Sequence, residues 1–239
     1  MNRVAAILPA AGLGTRMGAE TPKQFLSLDG VPVLLFTLRR LAACSAITDF
    51  VISTRAEEVD SLVALVATEN FGGRRVRVVR GGDTRQDSVA NALTEIPTEA
   101  DLILVHDAVR PLVTLSQIER VIAEAAACDA AILGIPAMDT VKEVKRASLP
   151  NDVALITATI PRERVVLAQT PQVFRASLLL EAFGRARQDG VSASDEAGLI
   201  ERMGRDVHVV VGSERNLKIT RPGDMELAEF YLRQERAGL

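Results

Sequence analysis

The sequence predicts an α/β protein: a mostly parallel β-sheet with helices on both faces and a β-hairpin arm protruding from it. Three observations predict it. Residues 4–9, VAAILP, form an unbroken apolar run that ends in a glycine-rich loop, the pattern of a parallel strand buried on both faces. Short β-branched runs then alternate with stretches of helical periodicity along most of the chain, as successive βαβ units do. Between residues 139 and 162 this rhythm gives way to two alternating runs around a polar turn, which reads as a hairpin leaving the sheet.

The elements follow in order. Residues 33–44 carry apolar side chains at helical spacing, and Pro32 sits where a helix begins. Residues 49–53 form a second strand and 56–70 a second helix. A third strand at 75–80 leads into the loop GGDTRQ and a helix from about 87 to 93, for which Asp87 or Ser88 is a candidate cap. Residues 102–105 are a fourth strand closed by His106 and Asp107. A helix at 115–127 and a strand at 130–135 come next. In the arm, residues 140–145 alternate clearly and 155–160 more weakly, on either side of a turn containing Pro150 and Asn151. Such an arm needs something to pack on: a second copy of the chain, or its own domain. Beyond Arg164 come a strand at 172–174, a helix at 177–188, a shorter helix at 194–203, a strand at 207–211 and a short strand holding Lys218. Residues 222–236 read as a closing amphipathic helix, with Pro222 in its first turn and Asp224 and Glu226 at its positive end. No repeat, linker or low-complexity stretch divides the chain. One domain spanning 1–239 is expected, with the arm at about 139–162.

Composition excludes several function classes. The 239 residues carry 28 basic and 31 acidic side chains, a net charge of −3, without the basic excess of a general nucleic-acid binder. With no Trp and one Tyr there is no stacking platform for single strands. A polyanionic ligand must be held by a local cluster of Lys and Arg. Cys44 and Cys128 lie far apart and form no C-x-x-C, so core packing is their expected role and a disulfide or Cys-based zinc site is not. His106 and His208 are too few for a His-rich metal site. The longest apolar stretch is too short to span a membrane, no secretion signal is recognisable, and a cytoplasmic location is expected.

Five motifs carry chemistry. LPAAGLGTRMG follows the first strand, and its small residues let backbone N–H groups approach phosphate oxygens while Arg16 adds a charge. Its glycines fit neither the dinucleotide fingerprint nor the P-loop. ETPKQFL places Lys23 after a stiffening proline. GGDTRQDSV offers close backbone approach at Gly81 and Gly82, and hydrogen-bonding groups at Asp83 and Ser88. LVHDAVRP puts Asp107 and Arg110 at the carboxyl end of a central strand, where open α/β sheets bind ligands. A single carboxylate there suits Mg²⁺, which takes one or two protein carboxylates plus phosphate oxygens; the alternative for Asp107 is a helix cap. NLKITRPGD carries Lys218, which belongs either in an anionic site or on a solvated edge.

Together these motifs resemble the sugar-nucleotidyltransferase superfamily. With MDTVK, TPQVF and SDEA in this order, they resemble within it the 2-C-methyl-D-erythritol 4-phosphate cytidylyltransferase family, from about Val4 to Tyr231. The resemblance implies a Rossmann-like fold, dependence on Mg²⁺ or another divalent cation, and a homodimer joined through the β-arm, with no nucleic-acid or membrane partner. It implies a reaction of CTP with methylerythritol phosphate that releases pyrophosphate. By motif, Ala10, Ala11, Gly12, Gly14, Arg16 and Lys23 match the triphosphate loop. Gly82, Asp83 and Ser88 match the cytosine-reading segment, and Asp107 the metal-binding aspartate. Arg110, Thr140, Arg162, Thr170 and Ser194 match positions that hold methylerythritol phosphate; TIPR spacing favours Arg162 over Arg164. Arg16, Lys23 and Lys218 are the expected catalytic cations. The chemistry agrees, because a phosphate monoester with a second pKa of ~6 is largely dianionic at neutral pH and attacks without a general base. A ribitol 5-phosphate cytidylyltransferase of the same superfamily and a non-catalytic nucleotide sensor are the alternatives.

Overall fold

A computed structural model of the chain describes residues 2–12, 22–145 and 154–238. The expected Gly14 and Arg16 lie outside the described residues, and so does the side chain of Lys23. The chain runs through β1 (Val4–Pro9), β2 (Ser27–Leu28), β3 (Val31–Pro32), α1 (Val33–Ala42), β4 (Ile47–Thr54), α2 (Val59–Ala67), β5 (Arg75–Arg80) and α3 (Arg85–Leu93). It continues through β6 (Leu102–Val105), α4 (Leu115–Cys128), β7 (Ala130–Pro136), the arm strands β8 (Val141–Lys145) and β9 (Leu155–Ile160), and β10 (Val166–Arg175). It ends with α5 (Ala176–Asp189), α6 (Glu196–Arg202), β11 (His208–Val211) and α7 (Pro222–Arg236).

Seven strands form the central sheet in the order β11-β7-β10-β6-β1-β4-β5. All neighbours pair in parallel except β10, which runs antiparallel to both β6 and β7. Alternate residues of the buried strands feed two separate cores. Val4, Ala6 and Leu8 of β1, with Leu102 and Leu104 of β6, pack under α1, α2 and α4. Ile7, Ile103 and Val105 point the other way, against α3, α5 and α6. These are the helices on both faces that the strand–helix rhythm requires. A third cluster seats α7: Ala228 and Leu232 pack with Val109, Leu112 and Ile219.

Several local expectations are corrected. The second helix is split, with a 3-10 turn at Ala56–Glu58 before α2. The strand expected at 172–174 is ten residues long and antiparallel, because it returns from the arm to re-enter the sheet. The cap of α3 is Thr84, whose hydroxyl accepts from Asp87 N–H while the Asp87 carboxylate accepts from Thr84 N–H. Neither Asp87 nor Ser88 is the N-cap; the two partners close a capping box instead. α6 begins at Glu196 under an Asp195 cap, so Ser194 precedes the helix. Lys218 lies in an extended loop, not a strand; the buried Ile219 next to it donates its N–H to Val109 O at 2.9 Å. Cys44 is buried in the core as expected, whereas Cys128 is only partly buried. Among the described residues no helix is long and apolar enough to cross a membrane.

Candidate active site

The segments leaving the carboxyl ends of β1, β5 and β6 meet in one pocket, lined by the backbone of Ala10–Gly12, the turn at Gly82 and Asp83, and the side chains of Arg85, Asp107 and Lys218, among others. Each wall has a local cause. Ala10 N–H donates to Ser53 O at 2.7 Å, and buried Gln24 donates to Ala10 O at 2.7 Å. The loop after β1 is therefore pinned from both sides. Gly81 lets the opposite wall approach, since a Cβ there would lie 2.7 Å from Ala11 Cβ and 2.8 Å from Ser88 Oγ. The Ser88 hydroxyl accepts from Gly82 N–H at 3.1 Å and donates to Thr84 O at 2.9 Å. It fixes the turn that presents Asp83.

Asp107 is the centre of charge. It is 6% exposed, and three cations surround it. Lys218 Nζ lies 2.9 Å from Oδ2, Arg85 Nε 3.3 Å from Oδ1 and Arg110 Nε 3.5 Å from Oδ2. Burial alone would raise the Asp107 pKa, but Lys218, Arg85 and Arg110 outweigh it and hold the carboxyl well below its ordinary range. Burial lowers Arg110, and Asp107 restores part of the loss. Arg85 is drawn down by burial yet ends above its usual value, because Glu196 and Asp107 both favour its charge.

The sequence pattern did not single out Arg85 and Glu196, although both stand inside the GGDTRQDSV and SDEA motifs. They form a two-pronged ion pair, at 2.7 and 3.0 Å. Burial pushes the Glu196 carboxyl above its ordinary value, and Arg85 offsets only part of that rise. Gln172 sets this pair in place: its Nε2 donates to Asp195 Oδ2 at 2.8 Å and its Oε1 accepts from Ala197 N–H at 3.1 Å. The TPQ and SDEA motifs thus meet each other and hold the start of α6 beneath Arg85.

A second polar chain fixes Asp107 from behind. Asp107 N–H donates to Thr170 Oγ1 at 3.0 Å, and Thr170 Oγ1 lies 2.9 Å from His106 Nδ1. His106 Nε2 lies 3.1 Å from Arg110 O, so a neutral ring protonated on Nε2 satisfies both contacts. Burial pushes the His106 pKa down to about 4. His106 is fully enclosed and offers no base to the pocket. Thr170, expected to touch substrate, has its hydroxyl committed to this chain. Arg110 also donates to Asn216 O at 2.7 Å, and buried Asn216 donates to Thr170 O at 2.9 Å. Asp224 accepts from Thr220 and Arg221 N–H at 2.7 and 2.8 Å. These bonds anchor the loop of Lys218 at both ends.

Of the expected residues, the pocket gathers Ala10, Ala11, Gly12, Gly82, Asp83, Ser88, Asp107 and Lys218, with Arg110 beside them. Thr140, Arg162 and Ser194 are exposed and are not among the pocket's lining residues. Thr140 and Arg162 stand at the base of the arm, where Arg162 donates to Met138 O at 2.8 Å.

Comparison with known proteins bears on this geometry. The family model for 2-C-methyl-D-erythritol 4-phosphate cytidylyltransferase matches residues 4–234. A protein of that name from Solibacter usitatus is 50% identical over 242 residues, covering 98% of each chain. Another from Acidobacterium capsulatum is 52% identical over 238 residues, covering 97% of this chain and 98% of its own. Among solved structures, the Thermus thermophilus protein of the same name superposes with a TM-score of 0.76 at 33% identity, covering 97% of this chain and 99% of its own.

Proposed function

The chain belongs to the 2-C-methyl-D-erythritol 4-phosphate cytidylyltransferase family, and from that premise we propose how its residues divide the work. The reaction is that of the family: CTP and 2-C-methyl-D-erythritol 4-phosphate give 4-diphosphocytidyl-2-C-methyl-D-erythritol and pyrophosphate, in isoprenoid biosynthesis. A phosphate oxygen of the sugar alcohol attacks the α-phosphorus of CTP. One P–O bond forms, the bond to the β-phosphate bridging oxygen breaks, and pyrophosphate leaves. The observation that carries the assignment of roles is Asp107, kept ionised among Lys218, Arg85 and Arg110 beside the backbone of Ala10–Gly12.

The backbone of Ala11, Gly12 and Gly14 would cradle the triphosphate, Ala10 would hold the start of that loop through its N–H to Ser53 O, and Arg16, Lys23 and Lys218 would stabilise charge on the α-phosphate and the departing pyrophosphate. Gly82 and Asp83 would read the cytosine, with Ser88 holding their turn. Arg110, Thr140, Arg162 and Ser194 would hold the methylerythritol phosphate. Thr170 would serve the same end indirectly, by fixing the backbone of Asp107. No proton acceptor is needed, which suits a pocket whose nearest histidine is sealed and neutral.

Nucleotidyl transfer in this family is generally divalent-cation dependent. We assign the cation to Asp107 and take it to be Mg²⁺. The donor set fits: one ionised carboxylate opens on a phosphate-sized pocket, and Mg²⁺ is commonly held by one or two carboxylates plus substrate phosphates. Bound there, it would orient the triphosphate and neutralise its charge. With three cations around Asp107, a bare Mg²⁺ is repelled, and the site favours an ion that arrives with the nucleotide.

The arm supports a homodimer. Every residue of β9 is exposed, including Leu155 at 59% and Ile156 at 63%, which is apolar surface of the kind that marks an interface. A second copy docked there would bring Thr140 and Arg162 to a pocket they do not line in their own chain. The whole chain then acts as one catalytic domain with an arm, in the cytoplasm. The direct test is pyrophosphate release from a panel of CTP, UTP and GTP against methylerythritol phosphate, ribitol 5-phosphate and a hexose phosphate. Release with CTP and methylerythritol phosphate is expected; release only with another acceptor would overturn the substrate assignment.

A further inference from the structure

At the opposite end of the sheet from the pocket, three side chains of metal-binding type converge. We propose that Glu124, Cys128 and His208 form a site for a borderline-soft divalent cation, zinc foremost. Glu124 and Cys128 stand four residues apart at the end of α4, so helix geometry puts them on one face. His208 opens the edge strand β11, which packs against α4. One ligand atom from each of the three lies within 4.8 Å of the other two, and among the described residues this is the one such group. His208 Nδ1 and Glu124 Oε1 are 2.7 Å apart. Cys128 donates its S–H to Glu124 O at 3.0 Å and Ala130 O at 3.3 Å, bonds that the metal would replace as the thiol gives up its proton.

The spacing is close to what zinc demands. Bonds of about 2.0–2.3 Å in a tetrahedron hold donors roughly 3.3–3.7 Å apart. The His208–Glu124 edge therefore has to open by about an ångström or less. Both side chains are about half exposed, so rotamer adjustment supplies that movement. Three protein ligands leave a fourth position for water. A set of one thiolate, one imidazole and one carboxylate selects against Mg²⁺ and Ca²⁺, which prefer oxygen throughout. It would not compete for the ion assigned to Asp107. Cys128 also lines a surface pocket with Asp129 and Asp206, which gives the ion a route in. Counting cysteines and histidines separately concealed the site, because it draws one of each from positions 80 residues apart. A bound ion would clip the end of α4 to the outermost strand.

Titration of the full chain with Co²⁺ tests this. Cys44 is 2% exposed within the core, so a thiolate-to-cobalt charge-transfer band in the near ultraviolet reports on Cys128. The expected result is a 1:1 band abolished by equimolar Zn²⁺. Cys128→Ser should remove it, and His208→Ala should weaken binding at least about tenfold. Zn²⁺ at a hundredfold excess over its Kd should raise Tm by about 5–10 °C in the parent and not in Cys128→Ser. Absence of the band in the parent, its survival in Cys128→Ser, or unchanged binding in His208→Ala would overturn the proposal.

Discussion

Replacing Glu196 by Ala should be among the most damaging single changes that leave the pocket lining intact. Glu196 is 1% exposed, and its carboxylate takes both prongs of Arg85. Removing it strands a guanidinium that is only 28% exposed and has no other full partner, since its contact with Asp107 is a single one at 3.3 Å. Breaking a buried ion pair from one side costs about 3–5 kcal/mol, because the surviving charge stays desolvated. For a chain of 239 residues, where 1 kcal/mol moves Tm by about 2–4 °C, that is a fall of about 6–20 °C. The converse change, Arg85→Met, leaves a buried carboxylate that can escape by protonating. Without Arg85 the folded-state pKa of Glu196 lies above the unfolded value, so this variant loses stability as pH rises above about 4.3. Arg85→Met should therefore be closer to the parent at pH 5 than at pH 8. The double variant Arg85→Met/Glu196→Ala should be more stable than either single variant, because no unpaired charge remains. Urea denaturation of the four proteins at both pH values completes the cycle. A Glu196→Ala protein that melts within about 1 °C of the parent, or a double variant less stable than both singles, would refute the reasoning.

Four further outcomes are expected. Lys218→Ala and Lys23→Ala should each lower kcat by at least ~100-fold, the loss associated with one donor to developing charge; near-normal turnover in both would show that the cations are misassigned. His106 is neutral when folded, with its pKa at about 4 against ~6.5 unfolded. The unfolded chain thus binds more protons between these values, and stability should fall by up to about 3 kcal/mol as pH drops from 6.5 to 4. His106→Gln should flatten urea midpoints in that window, and an unchanged slope would contradict the assignment. Ile156→Glu on the arm should leave a monomer by light scattering. Mixing Lys218→Ala with Arg162→Ala should restore roughly a quarter of the activity if the two copies share sites, since half the dimers are mixed and carry one intact site; no recovery would mean that Arg162 serves its own pocket.

Much of the fold was legible because burial leaves a periodic trace. β1 and β6 are apolar on both faces, and α7 begins and ends where Pro222 and Arg236 predicted. The direction of β10 left no such trace, since a buried strand reads the same whichever way it runs. Leu217, Lys218 and Ile219 alternate as a strand does, but their main-chain bond runs from Ile219 N–H to Val109 O, and no ladder forms. In the site, glycine loops and lone cations were visible because phosphate chemistry needs them at particular spots. Arg85 and Glu196, 111 positions apart, were invisible as a pair. Thr170 shows the opposite limit: its motif is recognisable, but only packing reveals that its hydroxyl turns inward toward His106.

β10 has one more implication. It begins just after Arg164 at the root of the arm and carries Thr170, which grips Asp107, before it ends at Arg175. Nine residues separate Ile160, the end of the exposed strand where another copy would dock, from Thr170, which holds the aspartate proposed to carry the metal. A molecule that grasps the arm is therefore tugging on the same ribbon that sets the aspartate.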